Sequence, residues 1–291
     1  MTRRAGLIAL TGSALSACSP LSLFATFTPK DAARSPEHGV AFGSDPRQKL
    51  DVYAPPKASS REAAPAPVAV FFYGGSWDSG RRQDYGWVGR ALAAQGFLTI
   101  VPDYRLYPAV RYPSFLEDGA LAVRWAVDHA RRLGGDPGRI VLIGHSAGAY
   151  NAAMLALDER YLKAAGVDPK VVRAFAGLSG PYDFLPLDGP ITRRTFGEAP
   201  DLPATQPGLY ARPDSPPAFL GTGDGDTTVK PRNTRALAAA LRAKGAAVEE
   251  RHYAGLNHAD TVLALSRPFR GKAPVLAEMT AFLKARVGEA T

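Results

Sequence analysis

The sequence predicts an α/β domain: a mostly parallel central sheet with helices on both faces. Three observations carry this. Short apolar runs at 68–72, 97–101, 139–143 and 171–178 are nearly continuous, as strands covered on both faces must be. Stretches with helical period separate them, so strand and helix alternate along the chain. With 291 residues, 46% of them hydrophobic and 21% charged, the chain can bury one large core. Nothing repeats at a fixed period.

The elements follow in order. Thr2, Arg3 and Arg4 make a basic start, and 5–15 is apolar but too short to span a bilayer as a stable helix. The stretch ends in Leu15, Ser16, Ala17 and Cys18, which resembles the lipobox of bacterial lipoproteins. That resemblance implies a signal peptide over 1–17 and a lipid on Cys18, the single cysteine of the chain. It also implies an exported protein of the bacterial cell envelope, anchored to a membrane and facing the periplasm or carried to the outer membrane. Ser19, rather than Asp, follows the cysteine, which favours the outer membrane. Residues 19–48 are polar and turn-rich, and 18–44 is expected to be a tether and lead-in segment ahead of a domain over 45–291. Residues 49–53 alternate and read as an edge strand. Residues 54–67, rich in Pro and Ala, read as a loop. Strand 68–72 leads to a helix over 84–95 that stops at Gly96, then to strand 97–101. A helix over 115–133 ends at Gly134 and Gly135. Strand 139–143 is followed by a helix over 147–163 and strand 171–178. Residues 180–215 are rich in Pro and Gly and read as a short insertion. Strand 217–222, helix 231–244, strand 247–253 and helix 272–286 complete the chain.

The chemistry is expected at the carboxyl ends of the strands. Gly144-His-Ser-Ala-Gly148 sits between strand 139–143 and a helix. A serine in a sharp strand-to-helix turn, with small residues two positions either side, is the context of a nucleophile elbow. Ser146 is therefore the candidate nucleophile. Gly74 and Gly75 follow strand 68–72 directly. Their N–H groups, with that of Ala147, are candidates to hold a developing oxyanion. Of the five histidines, His258 lies in the loop after the last strand and is the preferred base; His252, inside an alternating strand, is the runner-up. His145 neighbours the serine, but adjacent residues on an elbow point different ways. Asp224 and Asp226 compete for the orienting carboxylate. Asp226 is preferred because it stands three residues before Val229, which would tuck the turn back into the core. Trp77, Tyr182 and Phe184 are candidate pocket residues.

These motifs, in this order, resemble the α/β-hydrolase superfamily, and within it the carboxylesterases related to hormone-sensitive lipase and kynurenine formamidase. The resemblance runs from about residue 45 to the end. It implies the α/β-hydrolase fold with a small or absent cap, and cleavage of small carboxylic esters by Ser146, His258 and Asp226. It implies no metal and no cofactor, and no His/Asp/Glu cluster in the sequence has ligand spacing. Tyr73 departs from the family pattern, which usually has His there, so the glycine loop is expected to survive with altered support. Asp103 and Arg105 read as a scaffold pair. Formal charge is +8 with pI near 9.6, but Arg and Lys are scattered and no nucleic-acid motif occurs, so a basic solvated surface is expected rather than a nucleic-acid interface. The partner expected is a small-molecule ester; the sequence sets no oligomeric state. An aryl formamidase or other amidase could use the same triad, and a non-catalytic lipoprotein binding module is the reading from a different class.

Overall fold

A computed structural model describes residues 20–56 and 64–288. Cys18 and the signal segment 1–17 lie outside the described residues. The core is an eight-stranded sheet in the order β1-β2-β4-β3-β5-β6-β7-β8. The strands are β1 (Arg34–Ala41), β2 (Lys49–Ala54), β3 (Ala66–Phe72), β4 (Leu98–Pro102), β5 (Gly135–His145), β6 (Val172–Leu178), β7 (Ala218–Gly223) and β8 (Val248–Tyr253). The pairs β1–β2 and β2–β4 are antiparallel; every pair from β4 through β8 is parallel.

The helices are α1 (Pro20–Phe27), α2 (Gly86–Ala94), α3 (Ser114–His129), α4 (Ala147–Leu157), α5 (Glu159–Ala164), α6 (Pro190–Phe196), α7 (Arg232–Ala243), α8 (Asp260–Leu263) and α9 (Val275–Val287). The connection from β3 to β4 steps one way across the sheet, and that from β4 to β5 steps back past β3. Right-handed crossovers then put α2 and α3 on opposite faces. The central strands are buried accordingly: Val68–Phe72 and Ile140–Ile143 have no exposed surface. All eleven residues of α4 are buried, which makes it the central helix against β5 and β6.

Four expectations need correction. The segment expected to be a tether holds α1 and β1, and Phe24 of α1 packs edge-on against Trp87 of α2 with ring centroids 5.3 Å apart. Strand 49–53 is not at the edge, because β1 pairs outside it. β1 escaped notice because its sequence, RSPEHGVA, is polar on an exposed border and has no apolar alternation. The helix expected over 147–163 is two helices. Asp158 breaks them with an extended backbone, and its carboxylate accepts the N–H of Arg160 to cap α5. Asp103 and Arg105 do not pair with each other. Asp103 binds Arg82 through its backbone N–H and its guanidinium, whereas Arg105 clamps the fully buried Asp118.

The direction of successive crossovers reverses between β3 and β5, which are neighbours. A crevice opens at the carboxyl ends of strands at such a switch point. Gly74 and Gly75 follow β3 there, and Ser146 follows β5.

Candidate active site

Ser146 sits between β5 and α4 with φ 55° and ψ −125°, a conformation that non-glycine residues rarely hold. Its neighbours force the turn. A Cβ on Gly144 would lie 2.1 Å from the carbonyl oxygen of Gly148, and one on Gly148 would lie 2.1 Å from that of Phe72. Strand and helix backbones therefore touch, and only glycine fits at either end of the serine turn. The tight turn lifts the side chain away from the sheet.

His258 meets the serine from the loop after β8. The Ser146 hydroxyl donates to Nε2 of His258 at 2.8 Å, and Nδ1–H of His258 donates to Asp226 at 2.8 Å. Asp226 stands after β7 and is only 3% exposed. Its other oxygen accepts the N–H groups of Thr228 and Val229 at 3.0 and 2.8 Å. Burial alone would raise the pKa of this carboxyl. Hydrogen bonds from His258 and the Val229 N–H, with the electrostatic pull of the His258 ring, outweigh burial and hold it below the usual aspartate range. Asp224 is exposed, and its carboxylate lies 3.7 Å from His252. His252 pairs with Glu250 at 2.8 Å on β8. Neither takes part in the Ser146 arrangement.

The glycine loop lies against the serine. A Cβ on Gly74 would sit 2.9 Å from Cβ of Ser146, so the backbone at Gly74 passes directly over it. Ala147 opens α4, whose N-terminal N–H groups face the same space. Gly75 adopts φ 126°, and its carbonyl accepts the N–H groups of Asp78 and Ser79, both at 3.0 Å, which folds the loop back on itself. Tyr73 supplies the support. Its ring stacks between Tyr85 and Tyr104, with centroids 5.3 and 4.8 Å away. Its hydroxyl donates to Asp103 at 2.8 Å and accepts from Arg47 at 3.1 Å.

A cavity of about 300 Å³ opens at Ser146 and Ala147. Trp77, Phe184 and Ile191 give it an apolar wall; Thr228, Lys230 and Asn233 give it a polar one. Trp77 is locked by donation from its ring N–H to Asn151 at 3.0 Å. Of the expected pocket residues, Trp77 and Phe184 line the cavity and Tyr182 does not. Tyr182 is turned the other way, into the space left by two glycines: a Cβ on Gly177 would lie 1.8 Å from its hydroxyl. Asn233 of α7 holds this segment by accepting the N–H groups of Tyr182 and Asp183 at 3.0 and 2.8 Å. Ile191 and Asn233 were not foreseen. Ile191 belongs to α6, inside a stretch too rich in Pro and Gly to show a helical period, and Asn233 points at the site only through a long-range contact. A second groove, of about 660 Å³ beside Tyr112 and Tyr161, holds no residue of the Ser146 arrangement.

A hydroxyl, an imidazole and a carboxylate in line beside a backbone-lined recess can transfer an acyl group. Comparison with known proteins agrees with that capability. A family model, BD-FAE, matches residues 50–241. The chain is 30% identical over 269 residues to isoprenylcysteine alpha-carbonyl methylesterase ICME of Arabidopsis thaliana, covering 85% of this chain and 61% of that protein. It is 31% identical over 224 residues to esterase LipC of Mycobacterium tuberculosis, covering 70% of this chain and 54% of that one. The chain thus spans between half and two thirds of the length of these curated relatives. A solved structure of esterase B from Lactobacillus rhamnosis, inhibited by a tributyrin phosphonate, superposes with a TM-score of 0.79 at 21% identity, covering 92% of this chain and 90% of that one. At that identity the likeness establishes the α/β-hydrolase fold.

Proposed function

This chain belongs to the BD-FAE family, and on that premise we propose that it is a serine hydrolase of small carboxylic esters. One observation carries the reading: Ser146, His258 and Asp226 stand in series, 2.8 Å apart at each step, at the mouth of a small cavity. In this reading Ser146 Oγ attacks the ester carbonyl while Nε2 of His258 takes its proton. Asp226 keeps the other ring nitrogen protonated and stabilises the imidazolium. The N–H groups of Gly74, Gly75 and Ala147 receive the oxyanion. His258 returns the proton to the departing alcohol, and water, deprotonated by the same ring, releases the acid from Ser146. Each cycle consumes one ester and one water and leaves an acid and an alcohol.

The small cavity, closed on one side by Trp77 and Phe184, supports short acyl groups over long lipid chains. The glycine-loop, elbow and histidine motifs in combination support a place near the esterases related to hormone-sensitive lipase and kynurenine formamidase. The lipobox-like run ending at Cys18 supports a lipid-anchored protein of the bacterial envelope, exposed to the periplasm or carried to the outer membrane.

The test is fluorophosphonate labelling of wild type and Ser146→Ala, followed by p-nitrophenyl esters of rising acyl length and a matched aryl formamide. Labelling should vanish in Ser146→Ala while the fold persists, and turnover should peak at short acyl chains. Persistent labelling of Ser146→Ala would overturn the nucleophile assignment. Absence of wild-type labelling would leave a binding protein, and faster turnover of the formamide would make it an amidase.

A further inference from the structure

His145 is a buried imidazole to which the mechanism above assigns no work. It is 6% exposed and ends β5, immediately before the nucleophile. Its ring lies 5.0 Å from the His258 ring, centroid to centroid. Its Nε2 is 3.0 Å from the backbone carbonyl oxygen of His258. A carbonyl only accepts, so Nε2 of His145 carries the hydrogen and donates it. Nδ1 is then bare; it has no partner, and it lies 3.1 Å from where a Cβ on Gly74 would be.

We infer that His145 is a positioning residue for the base: its Nε2–H holds the His258 carbonyl and so sets the placement of the His258 ring over Ser146. The inference rests on the esterase reading above. Three features carry it. First, His145 is covalently adjacent to Ser146, so this hydrogen bond ties the nucleophile's own backbone to the backbone of the base. Apart from the contact of the His258 ring with Ser146, the other hydrogen bonds of the loop do not reach the nucleophile's strand: Asn257 bonds Ala259 and Asp260, the Leu256 carbonyl accepts the Gly225 N–H, and Thr261 meets Ser179.

Second, proton counting makes it the fixed donor. Thr261 Oγ also reaches the His258 carbonyl, at 3.1 Å, but it meets Ser179 Oγ at 3.1 Å as well, where either hydroxyl can donate, so its one proton is not committed to the carbonyl. The Nε2–H of His145 has one acceptor, the His258 carbonyl.

Third, the tautomer is stable. Burial and the neighbouring His258 oppose a charge on His145 more strongly than the His258 carbonyl and Asp226 favour one. The ring therefore stays neutral, with a single N–H to give.

The test compares His145→Phe, which keeps a ring and loses the donor, with His145→Gln, whose amide can present N–H at a similar reach. Both are measured as full-length protein on the best short ester, with melting curves to establish folding. His145→Phe should lower kcat about 10- to 100-fold, the size expected of a misplaced base, with KM within about twofold. Its fluorophosphonate labelling rate should fall in proportion. His145→Gln should recover most of the loss. If the Phe variant does not fold, His145→Met, close to Gln in shape without the donor, takes its place. An unchanged kcat in the folded donor-free variant, or a Gln variant no better than it, overturns the inference. Wild-type turnover in the same assay separates the two readings. None at all ends the esterase assignment; turnover with an unaffected variant ends only the positioning role.

Discussion

At the scale of single residues, His145 also gives the molecule an acid weakness. Burial and the adjacent His258 push its pKa from 6.5 down to about 3. Between those values the unfolded chain binds a proton that the folded chain refuses. Stability therefore rises with pH across that window and falls on acidification. From pH 7 to pH 5 the loss is about 2 kcal/mol for this one ring. Asp226 works lower on the scale: its depressed pKa favours the fold above the ordinary aspartate range and is lost only as pH falls through its folded value. Urea midpoints at pH 7 and pH 5 should thus move further apart in wild type than in His145→Gln; equal displacement in both would refute the assignment of this acid sensitivity to His145. Ser146, Asp226 and His258 were legible in the sequence because each stands at a fixed place in a turn motif after a strand. His145 was not, because nothing in a linear pattern says where the side chain beside an elbow serine points. Tyr182 was misplaced for a related reason: the gap left by Gly177 and Gly180 turns it inward.

At the scale of elements, legibility followed burial. β3, β4 and β6, closed in on both faces, appear as apolar runs within a residue or two of their observed bounds. β5 begins at Gly135, four residues before the apolar run, because Gly135 and Asp136 pair with Ala66 and Pro67 despite a turn-like composition. β1 is held by its pairing with β2 rather than by apolar side chains, and so left no periodic trace. The loop after β3 combines both cases. Its glycines could be read; its support could not, since Tyr73, Arg47, Arg82 and Asp103 come from separate stretches of chain. Tyr73→Phe tests that support. The change removes two hydrogen bonds, one to the buried carboxylate of Asp103, which still keeps Arg82, and one from Arg47, and should cost about 1–3 kcal/mol in a denaturant titration. Ester kcat should stay within about tenfold, because the oxyanion donors proposed are backbone groups and the stacked ring remains. A collapse of kcat with stability unchanged would mean that the phenol acts in the chemistry itself.

At the scale of the whole molecule, the fold class was readable because alternating buried strands and helices leave few arrangements open. The order of the strands was not, and it is the order that matters: placing β3 beside β5 brings the glycine loop to the serine, while β7 and β8 deliver Asp226 and His258 from the same side. The address of the molecule is a separate matter, tested by Cys18→Ser. Metabolic palmitate labelling should disappear in the variant, the protein should move from the membrane pellet to the soluble fraction, and ester kcat should be unchanged. An unlabelled, soluble wild type would remove the anchor from the proposal.

The packing of α1 bears on the proposed anchor in one further way. From Pro20 onward the helix is held on the domain, with Phe24 set edge-on against Trp87. A pull on the chain ahead of Pro20, that of a lipid on Cys18 included, would be taken up by this aromatic contact. Phe24→Ala would then loosen the grip of the domain on its own lead-in without touching the Ser146 arrangement.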